Sequence, residues 1–346
     1  MRTPVAAFDV GGTRTRLRGG WTTEPDRTEL QVRTADHASL QDLLTACLHE
    51  ADLRPETVVL AVAGRVPAHG DVRMTNLPGW PLFERAAYAE RHGIRQLTVV
   101  NDMAATAHGM ADLGPDEVRP LTSHGPPTSH GPASRTSELL AVSVGSGVGS
   151  ALLDGAGTVH AAESGHIAWQ PVDEFEAGYL AHLRTEIGGV VTVEESIGGL
   201  RGFDRMYDYV RRSIPAAPDV HDRVTGARGA GAAVAPVITS AAQAGDPCCV
   251  GVVRLFAALF GQYLRAVVLV CLPAGGVVTL TSGVLQAPGM AELLREKTEF
   301  LDRFISPGAC HHELLAEIPV QLALDPLVGV RGAYRMALRA AEALYG

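Results

Sequence analysis

Twice the chain writes an apolar run, a glycine-rich turn and a second, alternating run. The first copy is VAAFDVGGTRTRLRGG at residues 5–20 and the second is LLAVSVGSGVGSALLDG at 139–155. Short apolar runs split by paired glycines read as strand–turn–strand units, because glycine accepts the backbone angles of a tight turn. Such a turn also points backbone N–H groups outward, as a nest for phosphate oxygens. Neither copy is a Walker loop, and neither is a GxGxxG that opens a helix. Taken singly, each is better read as an ordinary hairpin turn. Together, with Asp9 preceding the first, they raise the phosphate reading.

The rest of the chain alternates strand-like and helix-like segments, which argues a layered α/β fold. LQDLLTACLHEA has helical spacing, TVVLAVAG is a short buried strand, and LFERAAYAERHG is a helix closed by Gly93. QLTVV is a strand that leads into the helix NDMAATAHGMADL. Further on, the helices PCCVGVVRLFAALFGQYLRAVVLVCL and MAELLREKTEFLDRF flank the strand GVVTLTSG, and GAYRMALRAAEALY is a final helix. Residues 120–137 hold SHGP twice, and their Pro, Gly, Ser and Thr content predicts a mobile surface loop. Two similar α/β halves with a cleft between them fit this order.

At 346 residues the chain can bury two cores, and 46% hydrophobic with 19% charged residues describes a globular protein. The net charge of −9 argues against a general nucleic-acid or anionic-membrane surface. No stretch reaches the ~18 uninterrupted apolar residues of a spanning helix, and no leader pattern opens the chain, so a cytoplasmic location is expected. Five cysteines in no framework spacing suit free thiols. CHHE at 310–313 is expected to be a loop or helix start rather than a metal site.

Several polar residues sit where chemistry is plausible. Asp9, beside a phosphate-binding turn, can hold Mg²⁺ through water or simply cap the turn. Asn101 and Asp102 follow a buried strand and precede a helix, at the strand edge where α/β folds place ligands. Asp102 there is either a helix N-cap or an acceptor for a substrate hydroxyl proton. In AAESGHIAWQP, Glu163 and His166 offer an acceptor and a donor to vicinal hydroxyls, or form a surface pair. TVEESIGG adds Glu194 and Glu195, and RMTNLPGW adds Thr75 and Asn76 as candidates for a sugar-ring loop.

The ordered set D-x-G-G-T, MTN…W, ND…A…A, G-S/T-G-x-G, E-x-G-H and RTEIG…E…GL resembles the bacterial glucokinase family, within the actin-like ATPase and sugar kinase superfamily. It spans most of the chain. The resemblance implies two actin-like (ribonuclease H-like) α/β domains with an interdomain active-site cleft. The small domain would hold 4–109 plus 327–346, and the large one 110–326.

It also implies an ATP-dependent kinase for the primary (6-) hydroxyl of glucose. Asp9, Gly11, Gly12 and Thr13 would form the first phosphate loop, facing Mg²⁺. Gly145, Ser146, Gly147 and Gly149 would form the second, and Ser282 with Gly283 would mark the adenosine strand. Asp102 would be the general base, with Asn101, Glu163, His166, Glu194, Thr75 and Asn76 around the sugar.

Four departures matter. Ser282 replaces the first glycine of an adenosine pair, and Ser146 replaces a threonine. Arg65 replaces a proline near the sugar loop, and ESIGGL is shorter than its counterpart, which favours Glu194 over Glu195. Two of these touch substrate recognition and leave room for another hexose or a C7-cyclitol. GHIAWQPVDEFEAGYL has no cysteine, so the zinc of a related branch is not expected. A non-catalytic sugar sensor is disfavoured by the presence of Asp9 and Asp102. A homodimer is common in the resembled family.

Overall fold

The computed structural model describes residues 3–23, 27–75, 77–122, 138–145, 147–198, 201–287, 289–296 and 298–345. Asn76, Ser146 and most of the SHGP-repeat segment therefore lie outside the described residues.

Two sheets organise the chain. The first runs in the order β3-β2-β1-β4-β5, from β1 (Pro4–Val10), β2 (Arg14–Trp21), β3 (Arg27–Arg33), β4 (Thr57–Val62) and β5 (Gln96–Asn101). The second runs β6-β11-β10-β7-β8-β9, from β6 (Val118–Pro120), β7 (Leu139–Val144), β8 (Val148–Leu153), β9 (Val159–Ala162), β10 (Val277–Thr281) and β11 (Val320–Ala323).

Each sheet has an antiparallel three-strand meander followed by two parallel strands on the other side of the first strand. The glycine turns join β1 to β2 and β7 to β8, so they occupy equivalent places in the two sheets. β1 and β4 are apolar on both faces because helices cover the sheet, as parallel strands require.

The segment Asp102–Met110 is the helix that joins the two halves. It packs against β4 and β5 of the first sheet and against β7, β8 and β9 of the second. Its other partner is the last helix, Val328–Tyr345, which also lies on β1, β2 and β4. Glycines set how close these two helices come. A Cβ at Gly332 would lie 1.8 Å from the Ala105 carbonyl oxygen, and one at Gly109 would lie 2.1 Å from that of Val328. The last helix begins four residues earlier than its sequence signal, at Val328.

The core of the second half is built on the helix Pro247–Cys271, capped by the Asp246 side chain, which accepts from the Cys249 amide at 2.9 Å. By length and composition this helix is apolar enough to cross a bilayer, yet most of it is buried inside the protein. Phe256, Phe260, Phe300 and Phe304 stack in a row across its contact with the helix Thr298–Ile305. The sequence reads MAELLREKTEFLDRF as one helix; the structure describes Met290–Glu296 and Thr298–Ile305 on either side of Lys297. All five cysteines are free.

Candidate active site

Asp9 is the penultimate residue of β1, and its cross-strand partner in β2 is Arg16. Arg16 Nη1 lies 3.3 Å from Asp9 Oδ2. Burial pushes the Asp9 carboxyl above its ordinary range, and the Arg16 charge pulls it partway back. On the other side, a Cβ at Gly329 in the first turn of the last helix would lie 3.1 Å from Asp9 Oδ2, so a side chain there would press on the carboxylate.

The turn after Asp9 is braced from behind. The buried Thr34 hydroxyl donates to the Gly11 carbonyl at 2.8 Å, and its amide donates to the Thr13 carbonyl at 3.1 Å. Having spent its one proton, Thr34 Oγ1 accepts from the Thr15 hydroxyl at 3.0 Å. The Gly11 amide closes the turn on the Arg14 carbonyl at 3.1 Å. With the carbonyls of Gly11 and Thr13 held inward, the amides of Gly12 and Thr13 are the donors the turn can offer a ligand. Sequence reasoning had no signal for Thr34, which follows β3 and is brought back by the meander. The Arg16 pairing, in contrast, follows from hairpin register once the turn is fixed.

The second glycine turn meets Glu194. Its Oε2 accepts from the Val148 amide at 3.0 Å, and a Cβ at Gly147 would lie 2.9 Å from that oxygen. Glu195 is committed elsewhere: its Oε2 accepts from the Thr192 amide at 2.9 Å, closing a capping box on the helix Val193–Ile197. Gly145 donates to the Gly147 carbonyl at 2.8 Å, and Gly149 packs on Met103, the neighbour of Asp102.

Asp102 stands at the first position of the joining helix, and the cap is Asn101. Asn101 Oδ1 accepts from the amides of Met103 and Ala104 at 2.9 and 3.3 Å, and Nδ2 donates to the Gly64 carbonyl at 3.1 Å. One Nδ2 hydrogen remains for a ligand. Gly64 has φ +98°, a conformation that suits glycine, and a Cβ there would meet the Thr75 hydroxyl. Thr75, Gly64 and Asn101 thus form one chain beside Asp102.

Asp102 Oδ1 accepts from the Met103 amide at 2.8 Å. Burial and then the facing Asp9 carboxylate raise its carboxyl to about 7, with Glu163 adding in the same direction and the Met103 amide opposing. Two carboxylates of raised affinity for protons, set face to face between two glycine turns, suit a proton acceptor beside a polyphosphate.

Glu163 and His166 lie exposed on the turn after β9, with His166 Nε2 3.8 Å from Glu163 Oε2. The structure therefore gathers Asp9, Asp102, Glu163 and Glu194 around the two turns. Ser282 is buried, and its hydroxyl donates to the Val144 carbonyl and accepts from the amides of Val284 and Leu285 at 3.1 and 3.2 Å. It ties β10 to β7 next to the second turn and has no hydroxyl proton left for a nucleotide. Gly283 beside it faces open space.

Among the described residues no group of three or more His, Cys, Asp or Glu is arranged to hold a metal. In the CHHE segment, His312 Nδ1 is 3.0 Å from the Ala309 carbonyl within its own turn.

The glucokinase family matches residues 6–340. The chain belongs to that family. A glucokinase of Chromohalobacter salexigens is 31% identical over 345 residues, covering 96% of this chain and 97% of the relative. Two solved structures share the fold. One is a glucokinase from an Antarctic psychrotroph (TM-score 0.71, 24% identity, 97% of this chain and 99% of that one). The other is a ROK family glucokinase from Streptomyces griseus in complex with glucose and AMPPNP (TM-score 0.65, 19% identity, 97% and 99%). The two-sheet α/β architecture is thus the actin-like fold of the glucokinase and ROK sugar kinases, and the chain is an ATP-dependent hexose kinase.

Proposed function

We propose that the protein transfers the γ-phosphoryl group of ATP to the primary hydroxyl of glucose, with Asp102 as the base. The observation that carries this is the placement of Asp102. It heads a helix that packs against both sheets, faces Asp9 and Glu163, and its neighbour Met103 touches the second glycine turn.

The turns Gly11–Thr13 and 145–149 take the triphosphate, and Gly283 lies open on the adenosine side. Glu163, His166, Glu194 and the remaining Asn101 hydrogen bind ring hydroxyls, with Thr75 and Asn76 shaping the ring loop. Asp102 then accepts the hydroxyl proton as the oxygen attacks in line, so positioning and charge carry the step. The hard oxygen donors at this place fit Mg²⁺ that arrives with the nucleotide, which Asp9 would hold through water. Bound Mg²⁺ would neutralise charge on the phosphate oxygens.

Two lobes, 4–109 with 327–346 and 110–326, would close on the sugar and exclude water. This chemistry suits the cytoplasm, where ATP is supplied.

A second reading, the same reaction on another glucose-like ring, is favoured by Arg65. It is exposed on the loop next to Gly64, at a position where the resemblance implies proline. ADP release from Mg-ATP with a panel of hexoses and hydroxymethyl cyclitols separates the two. Glucose should give the highest kcat/KM; turnover of a cyclitol but not of glucose would overturn the glucose assignment. Asp102→Ala should abolish transfer while sugar still binds, and unchanged turnover would refute its role.

A further inference from the structure

Ser164 lies between Glu163 and His166, so whatever fixes Ser164 fixes both. Its Oγ is 2.6 Å from the Tyr263 hydroxyl and 2.7 Å from Ser150 Oγ. All three side chains are buried. Tyr263 comes from the core helix Pro247–Cys271, and Ser150 is the residue after Gly149 of the second glycine turn. Burial pushes the Tyr263 hydroxyl up to about 12, so it keeps its proton and donates as well as accepts. Buried hydroxyls are costly unless bonded, and these three satisfy one another. Removing one member therefore unsettles the other two.

The neighbouring residue adds a second link between the same parts. A Cβ at Gly165 would lie 2.1 Å from the Val148 carbonyl oxygen, so the turn that carries Glu163 and His166 rests directly on the exit of the glycine turn. The Val148 amide is held by Glu194. Val148 thus meets the turn that carries Glu163 and His166 at its carbonyl and Glu194 at its amide.

We propose that Ser150, Ser164 and Tyr263 are positioning residues that hold the sugar-binding turn in register with the second phosphate turn. This rests on the reading of Glu163 and His166 as sugar ligands. With the hydroxyl cluster broken, the turn shifts against β8. The sugar hydroxyl then meets the γ-phosphoryl group less often, while the nucleotide, held by both glycine turns, binds as before.

Tyr263→Phe in the full chain tests this by steady-state kinetics. The sugar KM should rise roughly tenfold and kcat should fall, with the ATP KM changed by less than about twofold. Ser164→Ala deletes the shared hydroxyl and should show the same split if Tyr263→Phe fails to fold. The double variant should cost little more than either single one, because one cluster is lost in each. Parallel rises in both KM values, or an unchanged sugar KM in a folded variant, would overturn the proposal. Glu163→Gln and His166→Ala serve as the controls. If neither raises the sugar KM, the sugar-ligand reading itself fails; if both do and Tyr263→Phe does not, only the positioning role fails.

Discussion

Replacing Asp102 by Asn should make the protein more stable as it destroys activity. Asn keeps the acceptor for the Met103 amide but cannot ionise. In the native protein the Asp102 carboxyl is raised from its ordinary 3.8 to about 7, chiefly by burial and then by Asp9. A group whose folded pKa is raised contributes stability at low pH, and this is lost as pH rises through the folded value. At about 1.4 kcal/mol for each tenfold change in proton affinity, the ionised form at pH 8 costs up to about 4 kcal/mol. Partial contact with solvent screens this to about 2 kcal/mol.

Urea unfolding at pH 8 and pH 5 reads the effect. Asp102→Asn should gain about 2 kcal/mol at pH 8, and less than half of that at pH 5, where Asp102 of the native protein is mostly protonated. Its kcat should fall by at least a hundredfold, on the order expected for loss of a general base. No gain at pH 8, or an equal gain at both pH values, would refute the account of a carboxylate held against burial and a facing charge.

Two further variants probe the site. Glu194→Gln should raise the sugar KM severalfold with little change in melting temperature, whereas Glu195→Ala, which breaks the capping box, should cost about 1 kcal/mol in urea unfolding and leave both KM values nearly unchanged. Thr34→Val removes the donor to the Gly11 carbonyl; the ATP KM should rise about fivefold with the sugar KM steady, as initial-rate kinetics at varied ATP would show.

The repeated glycine turns were enough to foretell two halves, because strand–turn–strand units announce themselves locally in apolar alternation and paired glycines. Asn101 and Asp102 were legible as a strand end running into a helix. Which of them caps was not, since it depends on backbone angles: Asn101 took the cap and left Asp102 facing Asp9. The resemblance put Ser282 on the adenosine strand; the bond from its hydroxyl to the buried Val144 carbonyl spans 138 residues and left no mark in the sequence. Thr34 and Tyr263 carried no signal at all. Each reaches its partner across a separation that only the folded topology closes, 23 residues for Thr34 and Gly11 and 99 for Tyr263 and Ser164.

The last helix has a bearing on how the chain is made. Val5 and Ala7 of β1, Val59 and Ala61 of β4 and Ala105 of the joining helix share one buried cluster with Ala333, Tyr334, Ala337 and Ala341. The first sheet is synthesised early, yet one of its faces gains its cover only when the final helix emerges from the ribosome. During translation that face must wait, bare and apolar, while the whole second half is built. The same helix packs along Asp102–Met110, so the joining helix too gains this partner only after the second half has been made.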